Sequence, residues 1–88
     1  SNKIRGGYVT MTEVEHSGKV AELNSRYLGK YIKDDGEFVK IVGILVDYRD
    51  EYQHMNRVSD EYGNIHFIND IEEVFTYEQI RQLDKGNK

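Results

Sequence analysis

Cysteine is absent from this 88-residue chain, which excludes a disulfide framework and any thiolate metal site and makes the cytoplasm the expected compartment. Tryptophan is absent as well, leaving seven tyrosines and three phenylalanines as the whole aromatic complement. Long apolar runs are missing too: the longest, Ile41 to Val46, covers six residues and is interrupted by Gly43. A membrane-spanning helix needs about 20 apolar residues, so no membrane partner is expected. Basic clusters are also lacking. Twelve Lys and Arg stand against sixteen Asp and Glu, for a net charge of -4, and neither sign forms a block of five or six. A phosphate-gripping domain gathers its cations into a stripe, because neutralising phosphates supplies much of its affinity. Lys30, Lys33 and Lys40 flank one hairpin but are interrupted by acids, which disfavours nucleic acid as the partner.

The motifs of covalent catalysis are missing in the same way. There is no nucleophile elbow, no glycine-rich phosphate loop and no cysteine nucleophile. His16, His54 and His66 lack the spacings of compact metal motifs. The paired carboxylates Asp34-Asp35, Asp50-Glu51, Asp60-Glu61 and Glu72-Glu73 mostly fall in turn-like segments, whereas general acid–base work needs carboxyls held in a cleft. A chain of this length buries only ~60–65% of its unfolded surface, which leaves little room for a deep substrate cavity. The expectation is a protein that is not an enzyme and needs neither cofactor nor metal.

What is present is a β pattern. Asp35-Gly36 suits a type I′ hairpin, which needs positive φ at both central residues. Closing the turn there predicts Asp34 opposite Glu37, Lys33 opposite Phe38, Ile32 opposite Val39 and Tyr31 opposite Lys40. From Phe38 to Tyr48 both alternating sets are largely apolar, which predicts a central strand covered on both faces, with Ile41, Val42, Ile44 and Leu45 buried. Gly43 in mid-strand marks a bulge or sharp bend. "HMNRVSD", the turn "EYGN" and "IHFI" predict a second hairpin, in which His66 faces away from the core if its neighbours face inward. "DIEEVFT" follows as a strand or a connection.

Helical signals lie at the two ends. Ser17 reads as the cap of a helix over about Gly18 to Asn24, followed by a strand from about Tyr27 to Lys33. Thr76 and Gln79 fit a capping box opening a last helix, with Tyr77, Ile80 and Leu83 as its buried face. Residues 1–10 read as a tag remnant or flexible N-terminus, 11–84 as a single small β-rich domain, and 85–88 as a frayed C-terminus. The stretches "GEFVKIVGILVD" and "VSDEYGNIHFI" resemble SH3-like and related small barrels. That resemblance implies a mainly β, partly open barrel of four to five strands with a short helix or helical turn near each end.

Tyrosine combines a rigid apolar body with a polar tip, which interfaces favour. Tyr27, Tyr31 and Tyr77 suit the core or its margin. Tyr48, Tyr52 and Tyr62 instead sit in or beside predicted loops among acids. Together with Asp50, Glu51 and Asp60 they form the expected partner-binding rim, spanning the loop from Asp47 to Gln53 and the turn from Asp60 to Asn64. The functional expectation is a protein-interaction module, of the kind found among bacterial or phage accessory proteins, whose rim binds a basic protein surface. The alternative is a small barrel binding single-stranded nucleic acid, with tyrosines stacking on bases and Lys30, Lys33, Lys40 and Arg57 meeting phosphates.

Overall fold

The computed structural model describes residues 3–5 and 8–86. Two short strands come first, β1 (Lys3–Arg5) and β2 (Tyr8–Thr10), paired antiparallel with Ile4 opposite Val9. Helix α1 (Glu13–Tyr27) follows. A second sheet is built from β3 (Tyr31–Asp34), β4 (Glu37–Leu45), β5 (Arg57–Asp60) and β6 (Ile65–Phe67), hydrogen-bonded in that order. Helix α2 (Tyr77–Gly86) ends the described chain. The four antiparallel strands curl into a half-barrel, in a mainly β domain with a helix toward each end.

Helix α1 begins five residues earlier than a cap at Ser17 would place it. Thr12 is the cap: its Oγ1 accepts the Glu15 N–H, and the Glu15 carboxylate accepts the Thr12 N–H, so two otherwise orphaned donors are satisfied reciprocally. Gly18 lies inside the helix on its exposed face, where it lowers helix propensity without ending the helix. Leu23 and Tyr27, four residues apart, form the buried stripe. The helix ends at Tyr27, and the strand expected from there starts at Tyr31.

The first hairpin has the expected register, from Asp34 opposite Glu37 to Tyr31 opposite Lys40. Asp35 and Gly36 take φ of 50° and 81°, the positive values that a type I′ turn demands. Beyond it, β4 changes partner. Glu37–Lys40 pair with β3, whereas Ile41–Leu45 pair with β5, and the register shifts between Ile41 and Gly43. This bulge sits where Gly43 was expected to bend the strand. It also corrects the burial expected there. With one residue inserted, Ile41 and Ile44 face the core, while Val42 is left 53% exposed and Leu45 43% exposed on the outer face. The strand is therefore covered on one face only.

The core consists of Leu23 and Tyr27 from α1 with Ile32, Val39, Ile41 and Val58 from the sheet. Ile44, Val46, Ile68, Ile71 and Val74 pack against it. Burying each large aliphatic side chain contributes about 1.5–3 kcal/mol before entropy is charged. The segment after β6 is a 3-10 turn at Ile68–Asp70 followed by extended chain, and Phe75 exchanges two backbone hydrogen bonds of 2.8 Å with Tyr31. Thr76 and Gln79 do cap α2 reciprocally. Its expected buried face is another correction: Ile80 is half-buried, but Tyr77 and Leu83 are exposed. At the N-terminal end, Thr10 bridges to Arg49 and the Met11 N–H donates to Tyr48 O, which ties β2 to the loop after β4.

Two substitutions test this framework by chemical denaturation. Gly36→Val should cost about 1–2 kcal/mol, because a β-branched residue must then occupy the left-handed region. At Gly43 an added Cβ would lie 2.5 Å from Ser59 Oγ. Gly43→Ala should therefore cost about 1–3 kcal/mol. Adding Ser59→Ala should restore most of that loss, and additive losses in the double variant would refute the steric account.

Candidate functional site

Asp60 closes β5, and its surroundings follow from the turn after it. Its N–H donates to Asn64 O at 2.9 Å and its carbonyl accepts the Gly63 N–H at 3.0 Å, which folds the chain back toward β6. The carboxylate is aimed into the same turn. Oδ1 accepts the N–H groups of Tyr62 (2.8 Å) and Asn64 (3.1 Å), and Oδ2 lies 2.7 Å from His66 Nε2. An ionised carboxylate only accepts, so Nε2 carries the shared proton. Asp60 is 1% exposed. Burial alone would raise its pKa, but the bonds from His66, Tyr62 and Asn64 outweigh it and hold the carboxyl below its ordinary value.

His66 is the other half of this arrangement. It pairs with Val58, a core residue, so its side chain shares the inner face with Val58 and Asp60. Ile65 and Phe67 are the residues turned outward, both exposed, which is the reverse of the orientation anticipated for "IHF". Asp34 follows Ile32 by two residues on β3 and so points to the inner face as well. The curl of the half-barrel gathers Asp34, Asp60 and His66 so that one donor atom from each lies within 4.8 Å of the others. Positions 34, 60 and 66 have no motif spacing; the strand topology assembles them. The clue was in the pairing pattern, since the hairpin register sets the face of Asp34 and a turn closed by Asn64 pairs His66 with Val58.

Beside this cluster lies an open cleft of about 410 Å³ between the sheet's two edge strands. Ile32 and Lys33 of β3 form one wall, Ile65 to Phe67 of β6 the other, and Asp70 to Glu73 with Phe75 lie along it. Ladder alternation determines which backbone groups face this seam. Tyr31 turns its N–H and C=O outward to Phe75, and Lys33, two residues on, turns outward as well. On β6, the bonds of Asn64 and Ile68 to β5 and its extension direct the His66 backbone inward and those of Ile65 and Phe67 toward the seam.

The structure divides the expected rim in two. Tyr48, Asp50, Glu51 and Tyr52 lie beyond the Leu45–Arg57 end of the β4–β5 ladder, while Asp60 and Tyr62 lie at its Ile41–Asp60 end. Asp60 is interior, whereas Tyr62 is 70% exposed. The loop after β4 meets many of its own demands. Asp47 takes a bidentate bond from the Arg49 side chain (2.8 and 2.7 Å) and a third from the Arg49 N–H, which hold its pKa down at about 2. The same guanidinium sits 4.2 Å from the centre of the Tyr52 ring. Tyr48 stacks on His16 at 3.7 Å, and the buried Asn56 accepts from the Asp47 N–H and donates to Gln53. Glu51 is exposed on a 3-10 turn (Asp50–Met55) where a plain loop was expected.

Comparison with family models, with curated proteins and with solved structures found no match to this chain. The chemistry of the site therefore stands on its geometry.

The Asp60 carboxylate gives a pH-dependent stability of defined sign. Its folded pKa is depressed, so its contribution is fully present above the unfolded value near 3.8 and is lost as pH falls through the folded value. Asp60→Asn should lower the unfolding free energy by about 1.5–3 kcal/mol at pH 7. The gap to the parent chain should narrow as pH drops below 3.8. A gap of constant size in denaturant melts from pH 6 to pH 2.5 would refute this.

Proposed function

We propose that this protein is a non-enzymatic interaction module that takes up an extended, basic segment of a partner protein along the seam between β3 and β6. The observation that carries the reading is the seam itself. Outward-facing backbone groups of Lys33 on one side and of Ile65 and Phe67 on the other border a cleft whose charged lining is mainly acidic: Asp70, Glu72 and Glu73 against Lys33. An added strand finds main-chain partners on such an edge, and shallow pockets beside it select alternate side chains. Apolar area comes from Ile32, Ile65, Phe67 and Phe75. The acids favour Lys and Arg in the partner, each exposed pair worth about 0.2–1 kcal/mol, so affinity rests mainly on backbone pairing and apolar contact.

This reading keeps the basic partner expected from composition and moves its main contact from the loop rim to the seam. Tyr48, Asp50, Glu51 and Tyr52 stand toward the Phe67 end of β6 and Tyr62 toward its Ile65 end, where we assign them flanking contacts. Arg49 and Asp47 already occupy much of the polar and aromatic capacity of that loop, which is why it is not the principal site. An SH3-like barrel and a cytoplasmic accessory role belong to the same proposal, supported by strand pattern and by the lack of cysteine.

The test is fluorescence anisotropy with a labelled ten-residue peptide alternating Lys or Arg with Val or Ile, beside its Glu counterpart and a single-stranded oligonucleotide of similar length. The basic peptide should bind best and shift the amide resonances of Lys33, Ile65 and Phe67. Glu72→Lys with Glu73→Lys should weaken it about ten-fold or more, by adding repulsion to the lost attraction. Shifts confined to residues 47–53 would return the site to the loop rim, and tighter binding of the oligonucleotide would favour the nucleic-acid reading.

A further inference from the structure

We propose that Asp34, Asp60 and His66 form a binding site for one divalent transition-metal ion, with zinc the ion best matched to the donors. The site does not depend on the seam binding a peptide. An imidazole nitrogen and two carboxylates, one from each of three strands, lie within 4.8 Å of one another on the inner face of the half-barrel. That donor set differs from an ordinary cluster of surface acids in two respects. It contains an imidazole, which hard cations such as magnesium and calcium do not favour and zinc does. Its central carboxylate is buried and already oriented, because the Tyr62 and Asn64 N–H groups hold Oδ1 and leave Oδ2 facing His66. Outer bonds of this kind fix the direction of a ligand before the metal arrives.

The spacing suits a shared ion after a small closure. Zinc binds nitrogen and oxygen at about 2.0–2.2 Å, so donors in one shell lie at most about 4.3 Å apart. Asp60 Oδ2 and His66 Nε2, at 2.7 Å, need to part by only about half an ångström to share a tetrahedral ion. In the bound state the ion replaces the proton between them, and the neutral imidazole carries its proton on Nδ1. Asp34 supplies the remaining closure by side-chain rotation. It is half-buried, and among the described residues no side chain forms a hydrogen bond or ion pair with its carboxylate. Two carboxylates and a neutral imidazole carry a charge of -2, which one divalent ion cancels. His66 also lines the open cleft, which provides an entry path and space for water to complete a tetrahedral shell.

The experiment uses the full chain purified without a metal-affinity step and treated with chelator. Zinc is titrated by calorimetry, cobalt by visible absorption, and magnesium and calcium serve as controls. One equivalent of zinc should bind and raise the melting temperature, cobalt should give the intense bands of a tetrahedral site, and neither control ion should bind comparably. Asp34→Asn leaves the Asp60–His66 contact intact and should weaken zinc about ten-fold or more, as loss of a ligand or its support does. His66→Gln should do the same, with circular dichroism confirming that it is folded. No zinc binding by the parent chain would overturn the proposal. So would equal zinc affinity in Asp34→Asn, which would place the ion elsewhere on the surface.

Discussion

The bend in β4 is the constraint on which the rest of the molecule depends. One residue inserted between Ile41 and Gly43 lets the first half of the strand pair with β3 and the second half with β5. The bulge bends β4 at that point, and Ile32, Val39, Ile41 and Val58 meet in one core. Glycine leaves room there for the Ser59 hydroxyl, which a Cβ would displace. The bulge also raises the local twist, and that twist curls the sheet until Asp34 on one edge strand comes near Asp60 and His66 on the other side. The seam and the interior polar cluster are thus two results of one backbone irregularity.

A small core makes a buried carboxylate a sensitive component. Removing Asp60 from water has a desolvation cost that only full hydrogen bonding offsets. The turn from Glu61 to Asn64 supplies two of the bonds and His66 the third. The arrangement is reciprocal: the carboxylate orders the turn, and the turn lowers the energy of the charge. Among the described residues, no buried side-chain nitrogen or oxygen lacks a partner. The Asp47, Gln53 and Asn56 network serves the longer loop after β4 in the same way. The two loops at opposite ends of the β4–β5 ladder are each held by a side-chain acceptor, which keeps the strand ends fixed where few apolar contacts reach them.

Local chemistry was legible in the sequence, and the consequences of curvature were not. Asp35-Gly36 admits so few conformations that it set both a turn and a four-pair register. Gly43 announced the bulge, but two apolar alternating sets read as cover on both faces, and Val42 and Leu45 were misplaced because only one face is covered. Ser17 was read as the cap of α1, and the T-x-x-E pattern at Thr12 to Glu15, which carries the capping box, went unread. Asp60 read as a solvated turn acid because nothing in "SDEYGN" shows that the turn folds over its own first residue. His66 depended on which neighbours faced inward, and with Ile and Phe beside it the apolar choice was the natural one. Cross-strand pairing decided otherwise, because Val58 opposite His66 is core. Asp34, Asp60 and His66 meet through sheet closure, a property that linear spacing does not encode.

Open strand edges raise the question of why copies of this chain would not pair with one another. The exposed edges are short, four residues in β3 and three in β6, and Phe75 already covers Tyr31. Short edges and a lysine on the edge both weaken sheet-to-sheet association, and Lys33 is placed for that purpose, its ammonium lying 5.4 Å from the Phe38 ring centre. Charge acts in the same direction. A second copy docking on the seam would bring its own acids against Asp70, Glu72 and Glu73, in a chain of net charge -4. Like charges facing each other penalise that pairing, whereas a basic segment meets attraction at the same positions. On the proposed reading, the acids therefore contribute more to the choice of partner than to the strength of binding, and the unpaired backbone beside them stays available because self-pairing is disfavoured.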